Sequence, residues 1–272
     1  MNKEMITSAA NKKVRNVMLL STKSKERRKQ KLFVAEGVKM FLEAPHEQIR
    51  EVYLSEELLK DKEGFSAVSD KLTAIGKQKH TAVEIVKKDI FQKICDTKTP
   101  QGILCLVEMP EYAFEKILDR ENGLYLVLED IQDPGNLGTM IRAGEGAGIT
   151  GVVMSSHTAD VYNPKTIRAT MGSIYRIPVV YEEDLAESIK TMKRKGIQTY
   201  AAHLEGKRAY DKEDYHKATA FLIGNEGNGL SRPIADLADN YVKIPMLGKV
   251  ESLNAAIAAT LLIYEAARQR RN

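Results

Sequence analysis

The chain has 272 residues, of which 43% are apolar and 29% charged, with 8 prolines. These globular values exclude disorder, collagen and coiled-coil arrays, and the length suits two modest domains. The net charge of +4 is unevenly spread: residues 1–31 hold ten Lys/Arg against Glu4 and Glu26, so the rest of the chain is mildly acidic. No uncharged apolar run approaches about 18 residues, and Met1-Asn2-Lys3-Glu4 opens no signal-peptide pattern, so a cytoplasmic protein without a membrane span is expected. Cys95 and Cys105 lack C-x-x-C spacing and clustered histidines, which removes zinc fingers, redox dithiols and disulfide scaffolds; no metal site is expected.

Val14, Val17, Met18, Leu19 and Leu20 form an apolar helical stripe that docks the amino-terminal segment onto a folded body. Behind it, Lys23, Lys25, Arg27, Arg28, Lys29 and Lys31 place six cations in nine residues, a density suited to phosphate neutralisation with counterion release. A strand is predicted at Leu32–Ala35, a helix at Gly37–Ala44, a strand at Ile49–Leu54 and a charged helical stretch near Ser55–Lys62. Strand Ala82–Val86, a short helix over Asp89–Ile94 and strand Ile103–Val107 complete a small α/β domain over 1–108. Residues 109–123 lose the pattern and read as a linker, with a second domain over 124–272.

In that second domain, Leu124–Leu128, Gly151–Met154, Ile177–Val180, Ile197–Ala201, Ala220–Ile223 and Tyr241–Ile244 are short apolar runs, most of them separated by helical stretches. Continuous apolar strands alternating with helices indicate a mainly parallel sheet with helices on both faces. Ligands of such sheets sit outside the carboxyl ends of the strands, which directs attention to the loops after Leu128, Ile223 and Ile244.

The first loop places Asn136 as the N-cap of a helix starting at Leu137, with Arg142 six residues on. That spacing turns Arg142 roughly 120° from Asn136, so both border one cleft only if a neighbouring loop folds over them. The second loop, Gly224–Pro233, carries three glycines and the single carboxylate Glu226 directly after a strand, with Ser231 as the expected N-cap of a following helix. It matches neither G-x-G-x-x-G nor G-x-x-x-x-G-K-[ST], which argues against dinucleotide and nucleoside triphosphate sites. The third loop leads through Ser252, another candidate N-cap, and Asn254 into an apolar helix over Ala255–Arg268.

The ordered segments Asp133–Gly144, Ile223–Leu230 and Ile244–Ala255 together resemble the SpoU (TrmH-like) branch of the SPOUT superfamily, the RNA ribose 2′-O-methyltransferases, nearest the ribosomal-RNA enzymes. The resemblance covers about residues 124–270, with Asn163–Ser173 as a further similar segment; the amino-terminal part is similar to an L30e-like substrate-binding domain. It implies a carboxy-terminal trefoil knot, a homodimer, and S-adenosylmethionine bound by Gly224, Ile244 and Leu253; Ala202 and His203, at the end of the Ile197 strand, are expected as additional wall residues of that cofactor site. Asn136, Arg142, Glu226, Ser252 and Asn254 match its catalytic positions, with Glu226 expected to hold Arg142 in a bidentate pair. A guanidinium stays protonated, so Arg142 is assigned to stabilising the developing alkoxide while a water or phosphate oxygen takes the proton. The partner is RNA, ribosomal RNA first. Transfer-RNA methylation and a non-catalytic RNA-binding protein on the same scaffold stand as alternatives.

Overall fold

The structure is a computed structural model and describes residues 4–77 and 81–271. Lys3, counted among the amino-terminal cations, lies outside them. Two compact units emerge: one runs to Pro110 and takes in Tyr162–Tyr175, and the other holds Glu111–Val161 and the chain from Arg176 onward. This division differs from the expected one in two respects. Residues 111–123 fold with the second unit, and Tyr162–Tyr175 leaves the second half to pack on the first. The physical reasons are visible in each case. Phe114, Ile117 and Leu118 enter the core of the second unit, whereas Tyr162 stacks on Phe33 at 5.0 Å between ring centroids and the Tyr175 hydroxyl donates to the Met40 carbonyl.

The first unit is built on β1 (Leu32–Glu36), β2 (Ile49–Ser55), β3 (Ala82–Val86) and β4 (Ile103–Glu108). Their order is β1-β4-β2-β3, antiparallel except for the parallel β2/β3 pair. The helix Lys12–Thr22 covers one face because Val14, Val17 and Leu20, each three positions from the next, share a side; Met18 and Leu19 of the expected stripe are exposed. A 15-residue helix, Lys62–Gly76, has no counterpart among the predicted elements. Gly64 and several Ser/Thr weaken its propensity, but Asp61 caps it and Val68 and Ile75 are buried.

Within the basic run, Arg27 departs from its predicted role. It is only 2% exposed, and its guanidinium donates to the carbonyls of Leu20 at 2.6 Å and Ser21 at 3.3 Å. These belong to the last turn of Lys12–Thr22, where carbonyls have no intrahelical partner, so Arg27 closes a helix end. Lys23, Lys25, Arg28, Lys29 and Lys31 are exposed.

The second unit has seven parallel strands: β5 (Leu124–Leu128), β6 (Gly151–Ser155), β7 (Val179–Glu182), β8 (Gln198–Ala202), β9 (Arg208–Ala209), β10 (Thr219–Ile223) and β11 (Asn240–Lys243). The order is β7-β6-β5-β10-β8-β11-β9. Register decides what meets at the carboxyl edge: Ile223 pairs with Leu128, Leu222 with Ala201, and Val242 with Ala202. The loops that follow β5 and β10 therefore leave the sheet side by side, and the loop after β11 leaves the same edge one strand further on, beyond β8. Among the described residues no helix is long and apolar enough to cross a membrane.

Candidate active site at the carboxyl edge of the parallel sheet

The loop after β5 enters the helix Pro134–Ala147, whose N-cap is Asp133, not Asn136. Asp133 Oδ1 accepts the Asn136 backbone N–H at 2.8 Å, and Pro134 stands in the first turn, where its missing N–H costs nothing. Asn136 is thus released from capping, and its side chain is available to other loops.

Those loops converge on it. Asn136 Nδ2 donates to Glu226 Oε1 at 3.0 Å, and Asn254 Nδ2 donates to Asn136 Oδ1 at 3.0 Å. Glu226 also accepts the backbone N–H groups of Gln132 and Asp133, each at 3.0 Å. Partial desolvation pushes the Glu226 carboxyl up, but the hydrogen bonds from Asn136, Gln132 and Asp133 outweigh it and hold the group below its ordinary value. Glu226 is accordingly an anion with three donors fixing its plane.

Two expectations fail here. The Glu226–Arg142 pair is not formed: Glu226 is occupied at the helix N-terminus, while Arg142 lies two turns along the same helix, exposed and without an ion pair among the described residues. Ser252 is not a cap either; Asn254 caps the helix Ala255–Arg270, its Oδ1 accepting from Ala256 and Ile257. Ser252 is exposed on the pocket rim. Ser231 precedes the short helix Arg232–Ala235 but makes no side-chain cap bond.

Beside this cluster lies a pocket of about 380 Å³. All five residues expected to hold a cofactor, Ala202, His203, Gly224, Ile244 and Leu253, line it, as do Glu226 and Ser252. Gly224 is obligatory by packing: a Cβ there would sit 2.0 Å from the Leu230 nitrogen and 2.1 Å from the Gly229 carbonyl carbon. Gly229 has φ +68°, the left-handed region that glycine adopts without strain. The His203 ring packs 4.9 Å from Tyr241, and its Nδ1 accepts the Glu205 N–H. A larger depression of about 710 Å³ lies around Gly148–Thr150, Lys116 and Pro178. It borders the amino end of β6, away from the converging loops, and is set aside for that reason. Among the described residues no group of three or more His, Cys, Asp or Glu could hold a metal ion.

Residues that the sequence reading passed over are the ones that tie loops together: Glu129, Asp130, Gln132, Asp133, Ser155 and Asn225. Asp133-Pro134 carries the signature of an N-cap followed by proline at the first helical position and was legible. The others act through long-range hydrogen bonds that no local pattern announces.

A parallel sheet with a glycine-walled pocket at its carboxyl edge, lined by Glu226 and flanked by the hydrogen-bonded Asn136 and Asn254, defines an α/β ligand-binding protein. The chain belongs to the SpoU rRNA Methylase family, which matches residues 123–264; residues 11–105 match the MRM3-like substrate binding domain. It is 34% identical over 263 residues to the 23S rRNA (guanosine(2553)-2′-O)-methyltransferase RlmP of Bacillus subtilis, covering 96% of this chain and 98% of that protein. Among solved structures it resembles the AdoMet-bound rRNA methyltransferase from Sinorhizobium meliloti, with 30% identity, a TM-score of 0.83 and 97% of both chains covered. It also resembles the SpoU methyltransferase AviRb from Streptomyces viridochromogenes, with 28% identity, a TM-score of 0.83, and 96% of this chain and 98% of that chain covered.

Proposed function

We propose that this protein is an RNA 2′-O-methyltransferase that uses S-adenosylmethionine to methylate a ribose 2′-hydroxyl in ribosomal RNA. The observation that carries this reading is the hydrogen-bonded line Glu226–Asn136–Asn254, which joins the three family segments beside a glycine-walled pocket. The pocket suits the cofactor: its volume falls in the range of about 300–1,000 Å³ usual for small-molecule sites. Gly224 lets the Gly229–Leu230 backbone close against it to form the wall, Ile223, Leu230, Ile244 and Leu253 supply apolar surface, and Glu226 and Glu251 offer acceptors to a cation. When bound, S-adenosylmethionine supplies an electrophilic methyl on a sulfonium centre with a good leaving group.

The chain's own task is therefore alignment and charge stabilisation. Asn136 has one amide N–H committed to Glu226 and its oxygen committed to Asn254, so its remaining N–H is held in a fixed direction. Asn254 is likewise fixed by its cap bonds and keeps one N–H free for a ribose or phosphate oxygen. Ser252 on the rim offers a hydroxyl that rotates to suit. Arg142, exposed and without an ion pair among the described residues, is the cation that we assign to the ribose oxygen as charge develops there, with a water or phosphate oxygen receiving the proton. RNA engagement is assigned to residues 1–108 through Lys23, Lys25, Arg28, Lys29 and Lys31, and methyl transfer to the second unit, Glu111–Val161 with the chain from Arg176 onward. The reading includes a carboxy-terminal trefoil knot, a cytoplasmic setting and a homodimer, to which the exposed apolar side chains Leu247, Val250, Ile257 and Tyr264 would contribute.

Incubation with methyl-labelled S-adenosylmethionine and unmodified ribosomal or transfer RNA, followed by nuclease digestion, tests the proposal. Label in a 2′-O-methylnucleoside from ribosomal RNA is expected. Label on a base, in transfer RNA alone, or in neither RNA overturns it in respect of the reaction, the substrate or the enzyme.

A further inference from the structure

The glycine loop that walls the pocket has little reason to hold one shape. Between Ile223 and Leu230 it contains three glycines, whose backbone freedom must be lost for the pocket to exist. It lies beyond the sheet, so no strand ladder fixes it. Two consecutive residues at the end of β5 grip its two ends instead.

At the near end, the Asp130 carbonyl accepts the Asn225 side-chain amide at 2.8 Å and that of Gln132 at 3.1 Å. Asn225 in turn organises the loop: its Oδ1 accepts the N–H groups of Gly227 at 2.9 Å and Asn228 at 3.2 Å, and its carbonyl accepts that of Gly229 at 2.9 Å. At the far end, the Glu129 carboxylate takes both donors of Ser231, the backbone N–H at 2.7 Å and the hydroxyl at 2.5 Å.

Asp130 presents its carbonyl this way because its backbone is left-handed, with φ +53°, a region most L-residues avoid and Asp tolerates better than most. Ser155, the last residue of β6 and 8% exposed, holds it there. Its Oγ accepts the Asp130 N–H at 2.8 Å and donates to Asp130 Oδ1 at 2.6 Å. Ser155 Oγ also lies 3.1 Å from the Thr158 hydroxyl, which donates to the Leu128 carbonyl at 3.4 Å. Side-chain donors thus converge on Asp130, the Ser155 hydroxyl on its carboxylate and the Asn225 and Gln132 amides on its carbonyl.

We propose that Glu129, Asp130 and Ser155, none of which lines the pocket, are positioning residues that clamp the Gly224–Leu230 loop into the shape that receives S-adenosylmethionine and aims Glu226. The inference rests on the cofactor reading of that pocket. It assigns these three side chains no contact with cofactor or substrate; they act through Asn225 and Ser231.

The test compares the full-length protein with Asp130→Ala, Asp130→Asn, Ser155→Ala and Glu129→Gln by calorimetric titration with S-adenosylmethionine and by amide hydrogen exchange. Asp130→Ala and Ser155→Ala are expected to weaken cofactor binding by about 10-fold or more and to speed exchange at Gly227–Gly229, with β5, β6 and β10 unchanged. Asp130→Asn, which keeps both tolerance of the left-handed region and an oxygen for Ser155, should stay within about 3-fold of the parent. Glu129→Gln retains one acceptor oxygen for the two Ser231 donors and should fall between them. It also reports on the clamp should the buried Ser155→Ala variant misfold. Unchanged loop exchange in Asp130→Ala and Glu129→Gln overturns the clamp, as does an Asp130→Asn protein as impaired as Asp130→Ala. A parent protein that does not bind S-adenosylmethionine overturns the cofactor reading alone, because exchange still reports on the clamp.

Discussion

Polar side chains in the first unit turn inward to finish helices, whereas those at the carboxyl edge of the second unit reach across loops and stay accessible. Arg27 satisfies the Leu20 and Ser21 carbonyls, and Lys71, only 8% exposed, does the same for Leu42 and Ala44 at the end of the helix Val38–Glu43. Glu226, Asn136 and Asn254 instead bond to one another and to loop amides on the surface. The same chemistry, a polar group meeting an unpaired backbone partner, builds the core in one place and a reactive rim in the other. What separates them is whether solvent and ligand can still reach the group.

That contrast breaks most readily at Glu226. Glu226→Ala removes the acceptor shared by Gln132, Asp133 and Asn136, and misplacement of Asn136 is expected to lower kcat for ribose methylation by about 100-fold. The thermal midpoint should move little, because Glu226 is exposed. A kcat within a few-fold of the parent, measured by label transfer to ribosomal RNA, would place the site elsewhere.

Arg27 tests the other side. Arg27→Ala orphans carbonyls in a buried setting and should reduce unfolding free energy by about 2 kcal/mol in urea titration, while leaving the salt dependence of RNA binding unchanged. Lys25→Ala should cost less than about 0.5 kcal/mol. Replacing Lys23, Lys25, Arg28 and Lys29 together by Ala should reverse that pattern. Stability should hold, and the slope of log K against log salt should shrink by about 0.7 for each single-strand phosphate that is no longer neutralised. Equal slopes before and after would sharpen the contrast by showing that these cations are only solvated.

The smallest effect is in pH dependence. A carboxyl held below its ordinary value in the folded state contributes stability that is fully present above the unfolded value of 4.5 and is lost as pH falls through the lower folded one. The stability difference between the parent and Glu226→Gln should therefore be flat above pH 5 and diminish below about 4.5. A difference that grows on acidification would contradict the hydrogen-bonded carboxylate.

Much of this was legible in the residues. β5 is predicted at Leu124–Leu128 and found there, because a five-residue apolar run buried on both faces has no competing helical period. Helix caps were less so: Asn136, Ser252 and Ser231 all have capping chemistry, and local sequence does not say which neighbour wins. Asp133 prevails over Asn136 because Pro134 sets the helix start, and Asn254 prevails over Ser252 because the chain turns two residues later.

The amino-acid sequence by itself determined the α/β class, six of the seven strands of the second unit, all but the two-residue β9, and the three segments that mark the family, since these depend on local apolar runs and turn-forming residues. Tertiary structure alone decided that Glu226 faces Asn136 instead of Arg142, that Arg27 serves a helix end, and that Tyr162–Tyr175 joins the first unit. Each of those outcomes is a contact between residues distant in the chain, chosen by strand register and by which unpaired backbone group lies within hydrogen-bonding reach.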